Sequence, residues 1–223
     1  GENPHQKSAI YLSDLNSDFL FLTKLNGKDL SYNNYNDIFA GLDILNSIKK
    51  IPTTVIIKHA NPCGVASDKS PIKSFMKSQA SDPVSAFGGI VACNFRINLK
   101  IALEINKTFF EVIMAKSFEK NALKILKKKK NMRVIDISNI NTNKKTTIKM
   151  FDNSFLVQEK DNEVFDKKKL KFVTKIKPKK NELKEIEFAY KICKFVKSNA
   201  IVIVKDHATI GIGAGQQNRL DSC

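Results

Sequence analysis

Arginine is scarce in a chain this basic. Only three of the 38 basic residues are arginines, Arg96, Arg133 and Arg219, so the formal net charge of +16 is carried by lysine. Arginine is the side chain best suited to bidentate base contacts, and its scarcity argues against a dedicated nucleic-acid-binding module. The lysines are scattered, from Lys24 through Lys127–Lys130 and Lys167–Lys169 to Lys205, as on a solvated surface rather than a binding stripe. Such a surface still attracts anionic substrates such as phosphates. Cysteine is sparse too. Residues 63, 93, 193 and 223 form no C-x-x-C pair, which excludes the usual zinc spacings and a disulfide framework and leaves reduced thiols. No apolar run approaches the roughly 20 residues that cross a bilayer. Gly1 to Ile10 lacks the basic start and apolar stretch of a signal peptide, so a soluble, cytoplasmic protein is expected.

What is present is a globular composition. Hydrophobic residues make up 42% of the 223 positions, with 15 phenylalanines, enough for one large domain or one and a half ordinary ones. Ile38, Leu42, Leu45 and Ile48 follow helical spacing behind Asn36 and Asp37, the capping candidates, and Lys49-Lys50 before Pro52 ends that helix. Thr53 to Ile57 is a β-branched run that predicts a buried strand, broken by Asn61-Pro62-Cys63-Gly64. Ser70-Pro71 opens a short helix that Ser81-Asp82-Pro83 stops. Gly88-Gly89 leads into a strand, Asn98 caps a helix, and Phe110–Met114 and Met132–Ile137 are further strands flanking a helix with Phe118, Ala122 and Leu126. Strands alternating with helices at this spacing predict an α/β fold with a mixed sheet covered on both faces. The polar stretch from Asn139 to Lys149 is the linker candidate, separating a first lobe, residues 1–145, from residues 146–223. Beyond it lie strand patterns at Ser154–Gln158 and Lys171–Thr174, a helix opened by Asn181, and two strands, Ala200–Lys205 and Thr209–Ile212, joined through Asp206-His207.

The most informative segment is Lys58-His59-Ala60-Asn61-Pro62-Cys63-Gly64. It sets an amine beside an imidazole where a buried strand emerges, and two such groups can share acid and base duties. His59 to Cys63 resembles half of a zinc deaminase signature. Asn61 stands where that chemistry needs a glutamate and Gly64-Val65-Ala66 supplies no second thiolate, so a metal site is rejected. Gly211-Ile212-Gly213-Ala214-Gly215 fails the dinucleotide fingerprint because Gln216 takes the third glycine's place. It is either a plain turn or a backbone that a ligand can approach, with Gln216, Gln217 and Arg219 as donors. Phe87 is either a hydrophobic anchor or a face for a planar ligand, with Gly88 beside it. Glu111, in an apolar strand, is either a solvated edge carboxylate or a ligand-binding acceptor. His5 carries little information, and His207 reads as a hairpin tip.

Together with Gly1–Gln6, Leu25–Asn34 and Ser81–Gly89, and in this order, these motifs resemble one family. It is the formyltransferase part of the bifunctional purine-biosynthesis enzymes, which formylate aminoimidazole carboxamide ribonucleotide (AICAR) and close the product to inosine monophosphate (IMP). The resemblance runs over nearly the whole chain. It implies a phosphoribosylaminoimidazolecarboxamide formyltransferase built from cytidine-deaminase-like three-layer lobes, the first complete and the second truncated. It also implies a homodimer with sites at the subunit interface, no catalytic metal, and formyl-tetrahydrofolate as co-substrate. Lys58 and His59 match the family's chemical centre, Gly88, Glu111, Asn199 and Arg219 its ribonucleotide contacts, and Leu220 a folate-contacting position. The Arg-Tyr that precedes Gly1 in the family, the rest of the second lobe and the cyclohydrolase domain are missing from these 223 residues, which are therefore expected to be inactive alone.

The chemistry suits those assignments. The substrate amine is a poor nucleophile because its lone pair is delocalised, so a base must take its proton as it attacks, and an imidazole does this near neutral pH. Lys58 then stabilises the developing oxyanion or protonates the departing folate nitrogen. Two rivals stand beside this reading. A basic nucleic-acid-binding module predicts salt-sensitive binding to generic strands, and a non-catalytic remnant of the same family predicts retained motifs without turnover.

Overall fold

Ser31, rather than Asn36 or Asp37, caps the first helix, α1 (Tyr32–Ser47). In this computed structural model, which describes residues 1–12, 22–48, 51–140, 146–163 and 165–223, the Ser31 hydroxyl accepts the Asn34 N–H at 3.1 Å and the Asn34 amide oxygen accepts the Ser31 N–H at 3.1 Å. The reciprocal pair satisfies donors that helix geometry leaves unpaired. Asp37 is thereby freed to project from the second turn of the helix. The helix end expected at Lys49-Lys50 and the centre of the expected linker, residues 141–145, lie outside the described residues.

The strand β2 (Thr53–Lys58) forms where the β-branched run predicts it. Its expected breaker does not break it: Asn61-Pro62-Cys63-Gly64 opens the returning strand β3 (Asn61–Ser67). The turn is only His59 and Ala60, both with left-handed φ, 53° and 58°. Two such residues match the twist of a tight hairpin, which the pattern of turn-forming residue types did not reveal. Gly64 is needed for packing rather than turning, since a Cβ there would lie 1.9 Å from the Ser78 carbonyl oxygen.

Helices α2 (Pro71–Ser81) and α3 (Pro83–Ala86), strand β4 (Ile90–Ile97), helix α4 (Leu99–Ile105), strand β5 (Val112–Phe118), helix α5 (Lys120–Leu126) and strand β6 (Arg133–Asp136) follow. An unforeseen strand β1 (Thr23–Asn26) pairs with β6. Thr146–Lys149, taken as linker, belongs to strand β7 (Thr146–Phe151), which pairs with β8 (Ser154–Glu159) in a sheet of its own. Lys171–Thr174 forms no strand and joins no sheet among the described residues, and all four residues are exposed. Helix α6 (Lys180–Cys193) leads to β9 (Ile201–Lys205) and β10 (Ala208–Gly213), the two closing strands foreseen. No helix among the described residues is long and apolar enough to cross a membrane.

Eight strands form one mixed sheet in the order β1-β6-β5-β4-β2-β3-β10-β9, parallel across β4, β5 and β6 and antiparallel elsewhere. Successive side chains of a strand point to opposite faces. Val55, Ile57, Ala92 and Met114 therefore meet α1 and α6 on one face, and Ile56, Val91, Ile113 and Ala115 meet α2, α4 and α5 on the other. This is the α/β arrangement, covered on both faces, that the alternation predicted. Phe75 of α2 and Phe110 are fully buried and meet edge to face at 6.1 Å between centroids. Each such burial is worth about 2–3 kcal/mol.

The last hairpin repeats the first. A helix, a strand ending in lysine, a two-residue left-handed turn and a returning strand recur as α6, β9, Asp206–His207 (φ 52° and 53°) and β10. In each unit a helix carboxylate accepts the N–H of the second turn residue: Asp37 from Ala60 at 2.6 Å, and Glu185 from His207 at 2.9 Å. The two units join at β3 and β10 through one register pair, Ala66 with Ala208. Thr209 completes the seam, its hydroxyl oxygen accepting the buried Val65 N–H at 2.9 Å and meeting Ser81 Oγ at 2.9 Å. Thr209→Val leaves that N–H unpaired and is expected to lower stability by about 1–3 kcal/mol in urea denaturation. An unchanged midpoint would remove Thr209 from the account of the seam.

Candidate functional site

The Lys58 side chain leaves the end of β2 and donates from Nζ to the Phe87 carbonyl at 2.7 Å. That places the amine beside the loop after α3, against a cavity of about 200 Å³ that is also lined by His59, Asn61, Cys63, Asp82 and Ile212. His59 is exposed at the turn, while Ala60 behind it is tied to Asp37. Burial pushes the Asp37 carboxyl above the usual carboxylate range, opposed by the N–H groups of Ala60 and His59 and by the His59 ring. Asp82 behaves oppositely. It caps α3 by accepting the Ser85 N–H at 2.8 Å, and its bonds with Ser85, aided by the charge of Lys58, hold its carboxyl below the usual range. An amine, an imidazole and an ionised carboxylate therefore border one concavity.

Asn61, at the position where a deaminase would carry glutamate, ties the hairpin to the chain after α6. Its side-chain oxygen accepts the Lys197 N–H at 3.1 Å, and the Lys197 carbonyl accepts the Gly215 N–H at 2.7 Å. Asn199, two residues on, donates from Nδ2 to the carbonyls of Gln216 and Gln217, both at 3.0 Å. The glycine-rich segment is thus clamped beside the first hairpin, with Gly211–Gly213 inside β10 rather than in a turn. Arg219 and Leu220 follow on an exposed closing turn and are not among the residues lining the cavity beside Lys58.

Gly88 adopts a left-handed φ of 75°, and its N–H donates to the Phe109 carbonyl at 2.9 Å. Phe87 and Phe109 form an exposed aromatic pair with centroids 5.5 Å apart. Phe87 is therefore no core anchor. Phe109 escaped notice because it adjoins Phe110, which is the buried member of the pair. Glu111 lies one residue before β5, not within it, and β5 is an interior strand, so an edge position is corrected. Its Oε2 accepts from Asn34 Nδ2 at 2.9 Å and lies 3.6 Å from Arg133 Nη1. Asn34 and Asp37 were overlooked as site residues. The available signal was their spacing of three, which puts both on one helix face.

The model of a family described as "AICARFT/IMPCHase bienzyme" matches residues 1–223. Curated relatives carry the name bifunctional purine biosynthesis protein PurH. That of Thermoanaerobacter sp. is 45% identical over 221 residues, covering 99% of this chain and 43% of the relative. That of Nostoc punctiforme is 44% identical over 223 residues, covering 100% and 43%. That of Acetivibrio thermocellus is 43% identical over 229 residues, covering 100% and 44%. The chain spans less than half the length of these relatives.

Cys63 sits inside the motif yet is no nucleophile, because burial, reinforced by the charge of Asp82, pushes its thiol up to about 12. At pH 8 the exposed Cys223 is expected to alkylate with iodoacetamide well before Cys63, as read from peptide masses over time. Equal rates would mean that the wall behind Lys58 is open to water.

Proposed function

The chain belongs to the AICARFT/IMPCHase bienzyme family, and on that premise we propose that it carries part of a formyl-transfer site of purine biosynthesis. The amine of AICAR would take a formyl group from formyl-tetrahydrofolate, and the closure to IMP would fall to the part of the relatives that this chain does not span. The observation that carries the reading is the placement of Lys58 and His59 side by side on a cavity wall, one side chain anchored and the other exposed at a tightly held turn. His59 takes the proton of the attacking amine, and Lys58 faces the oxygen on which charge develops. Gly88 and Phe87 border the planar part of the nucleotide, while Glu111, Asn199 and Arg219 supply its polar contacts and Leu220 a folate contact. No metal is called for in this scheme.

Two structural features support the wider arrangement. The repeated helix–strand–turn–strand unit supports two related halves that share one sheet, which we divide at residues 145 and 146. The hairpin of β7 and β8 pairs with no other strand among the described residues, and Ile148, Met150, Phe151, Phe155, Leu156 and Val157 are each more than half exposed. A two-stranded hairpin is marginal in water by itself, which supports a homodimer whose second subunit covers it.

In a polypeptide of full family length carrying this chain, His59→Ala is expected to slow formyl transfer by about 10²–10⁴-fold while AICAR affinity stays within about threefold. Turnover near that of the parent removes the assignment of His59, and a parent with no transfer at all favours a non-catalytic remnant. Binding that prefers AICAR or IMP over oligonucleotides supports the enzyme reading, whereas salt-sensitive binding to generic strands supports the nucleic-acid rival. Replacing Met150 and Phe155 together by aspartate should shift sedimentation from dimer toward monomer; an unchanged dimer places the interface elsewhere.

A further inference from the structure

Asp37 stands one turn beyond Asn34 in α1, and both side chains reach toward the loops where β2 ends and β5 begins. Asn34 donates to Glu111 at 2.9 Å, and Asp37 accepts the Ala60 N–H at 2.6 Å. We propose that Asp37 is a positioning residue for formyl transfer, holding the His59–Ala60 turn so that the imidazole meets the substrate amine. The inference rests on the assignment of His59 as the base.

The turn needs holding. His59 and Ala60 both have left-handed φ, neither is a glycine, and alanine is not among the residue types enriched in that region. With the acceptor gone, the backbone can relax toward ordinary φ values and swing the imidazole away. A displacement on the order of 1 Å at a reacting group costs roughly 10²-fold in rate. Asp37 grips the backbone from the side of α1 and leaves the ring of His59 exposed beside the cavity. Its half-buried carboxyl is raised by that burial and steadied by the N–H groups of the turn, so it belongs to the turn rather than to solvent.

The second hairpin supplies the control. Glu185 grips the Asp206–His207 turn in the same way, but at the opposite end of the sheet. Ser67, the last residue of β3, donates to the His207 carbonyl, whereas Ile212 of β10 lines the cavity near Asn61 at the first residue of β3. Breaking the Glu185 bond should therefore affect the fold without touching the chemistry.

The test measures steady-state formyl transfer in a full-length family polypeptide carrying this chain. Asp37→Ala should lower kcat by about 30- to 100-fold with the nucleotide KM within about threefold. Asp37→Asn keeps an acceptor oxygen of the same reach and should retain at least about a third of kcat. Glu185→Ala should stay within about twofold of the parent, and Asp37→Ala combined with His59→Ala should be no slower than His59→Ala alone. Asp37→Ala within twofold of the parent, an equal loss in Glu185→Ala, or Asp37→Asn as impaired as Asp37→Ala would each overturn the proposal. Should Asp37→Ala not fold, Asp37→Glu decides: it keeps the acceptor on a longer arm and should lose at least about tenfold in kcat, and a loss below about twofold overturns the proposal. If His59→Ala leaves transfer intact, the base assignment fails and this inference with it. If His59→Ala abolishes transfer and Asp37→Ala does not impair it, only this inference fails.

Discussion

Much of the site depends on one backbone constraint, the two-residue turn after Lys58. A turn this short brings β3 straight back along β2, with Lys58 opposite Asn61 and Ile57 opposite Pro62, before the register shifts by one residue at Cys63 so that Ile56 faces Gly64. The return carries Cys63 into the wall of the cavity, presses Gly64 against α2 and offers the far edge of β3 to β10. Left-handed φ at two residues with side chains costs about 1–2 kcal/mol each. A charge-assisted hydrogen bond of about 1.5–3 kcal/mol from the Ala60 N–H to Asp37 is of the right size to offset most of it. The strain is therefore local and locally answered, and its product is an imidazole held at the tip of a short, rigid hairpin.

Around that tip the charges are sorted by environment. Lys58 is oriented by a neutral carbonyl, that of Phe87, while the ionised Asp82 is occupied with capping α3 and Glu111 with Asn34 and Arg133. An amine anchored by a dipole keeps its charge available to an incoming anion, whereas an amine locked to a carboxylate would be neutralised before the substrate arrived. The thiol of Cys63 stays protonated and serves as apolar wall. The other lysines are scattered along the chain, some of them paired with carboxylates as Lys160 is with Asp43 and Lys194 with Asp161, and the excess adds a diffuse positive field.

The alternation of helices and strands was legible because sheet strands buried on both faces read as continuous apolar runs, as Thr53–Ile57 and Ile90–Cys93 do. The Lys58–His59 pair, which the structure places on one cavity wall, was legible as a candidate for chemistry. Its geometry was not, because the residue types that announce a turn, Asn61-Pro62 and Cys63-Gly64, lie in the strand, while His59-Ala60, which makes the turn, carries no turn signal. A tertiary contact meets the turn there: its Ala60 N–H is bonded to Asp37, 23 residues away in sequence. Lys171–Thr174 failed in the opposite sense, with strand-forming side chains that stay exposed and enter no sheet among the described residues. Asp37 itself was hidden by its type, since an aspartate near a helix start reads as a cap until Ser31 and Asn34 are seen to close the capping box.

The repeated unit separates what the architecture requires from what the chemistry adds. Both hairpins follow a lysine, both turns are left-handed, and both are gripped by a helix carboxylate, so the grip by itself marks no active site. The difference lies at the tips. His207 is half-buried, with its ring against Phe188 and its Nδ1 3.5 Å from Glu185, and it does not line the cavity beside Lys58. His59 has its backbone bound and its ring exposed, next to an anchored amine and a cavity. The candidate site lies where the shared turn meets a concavity, and among the two tips that is His59 and not His207.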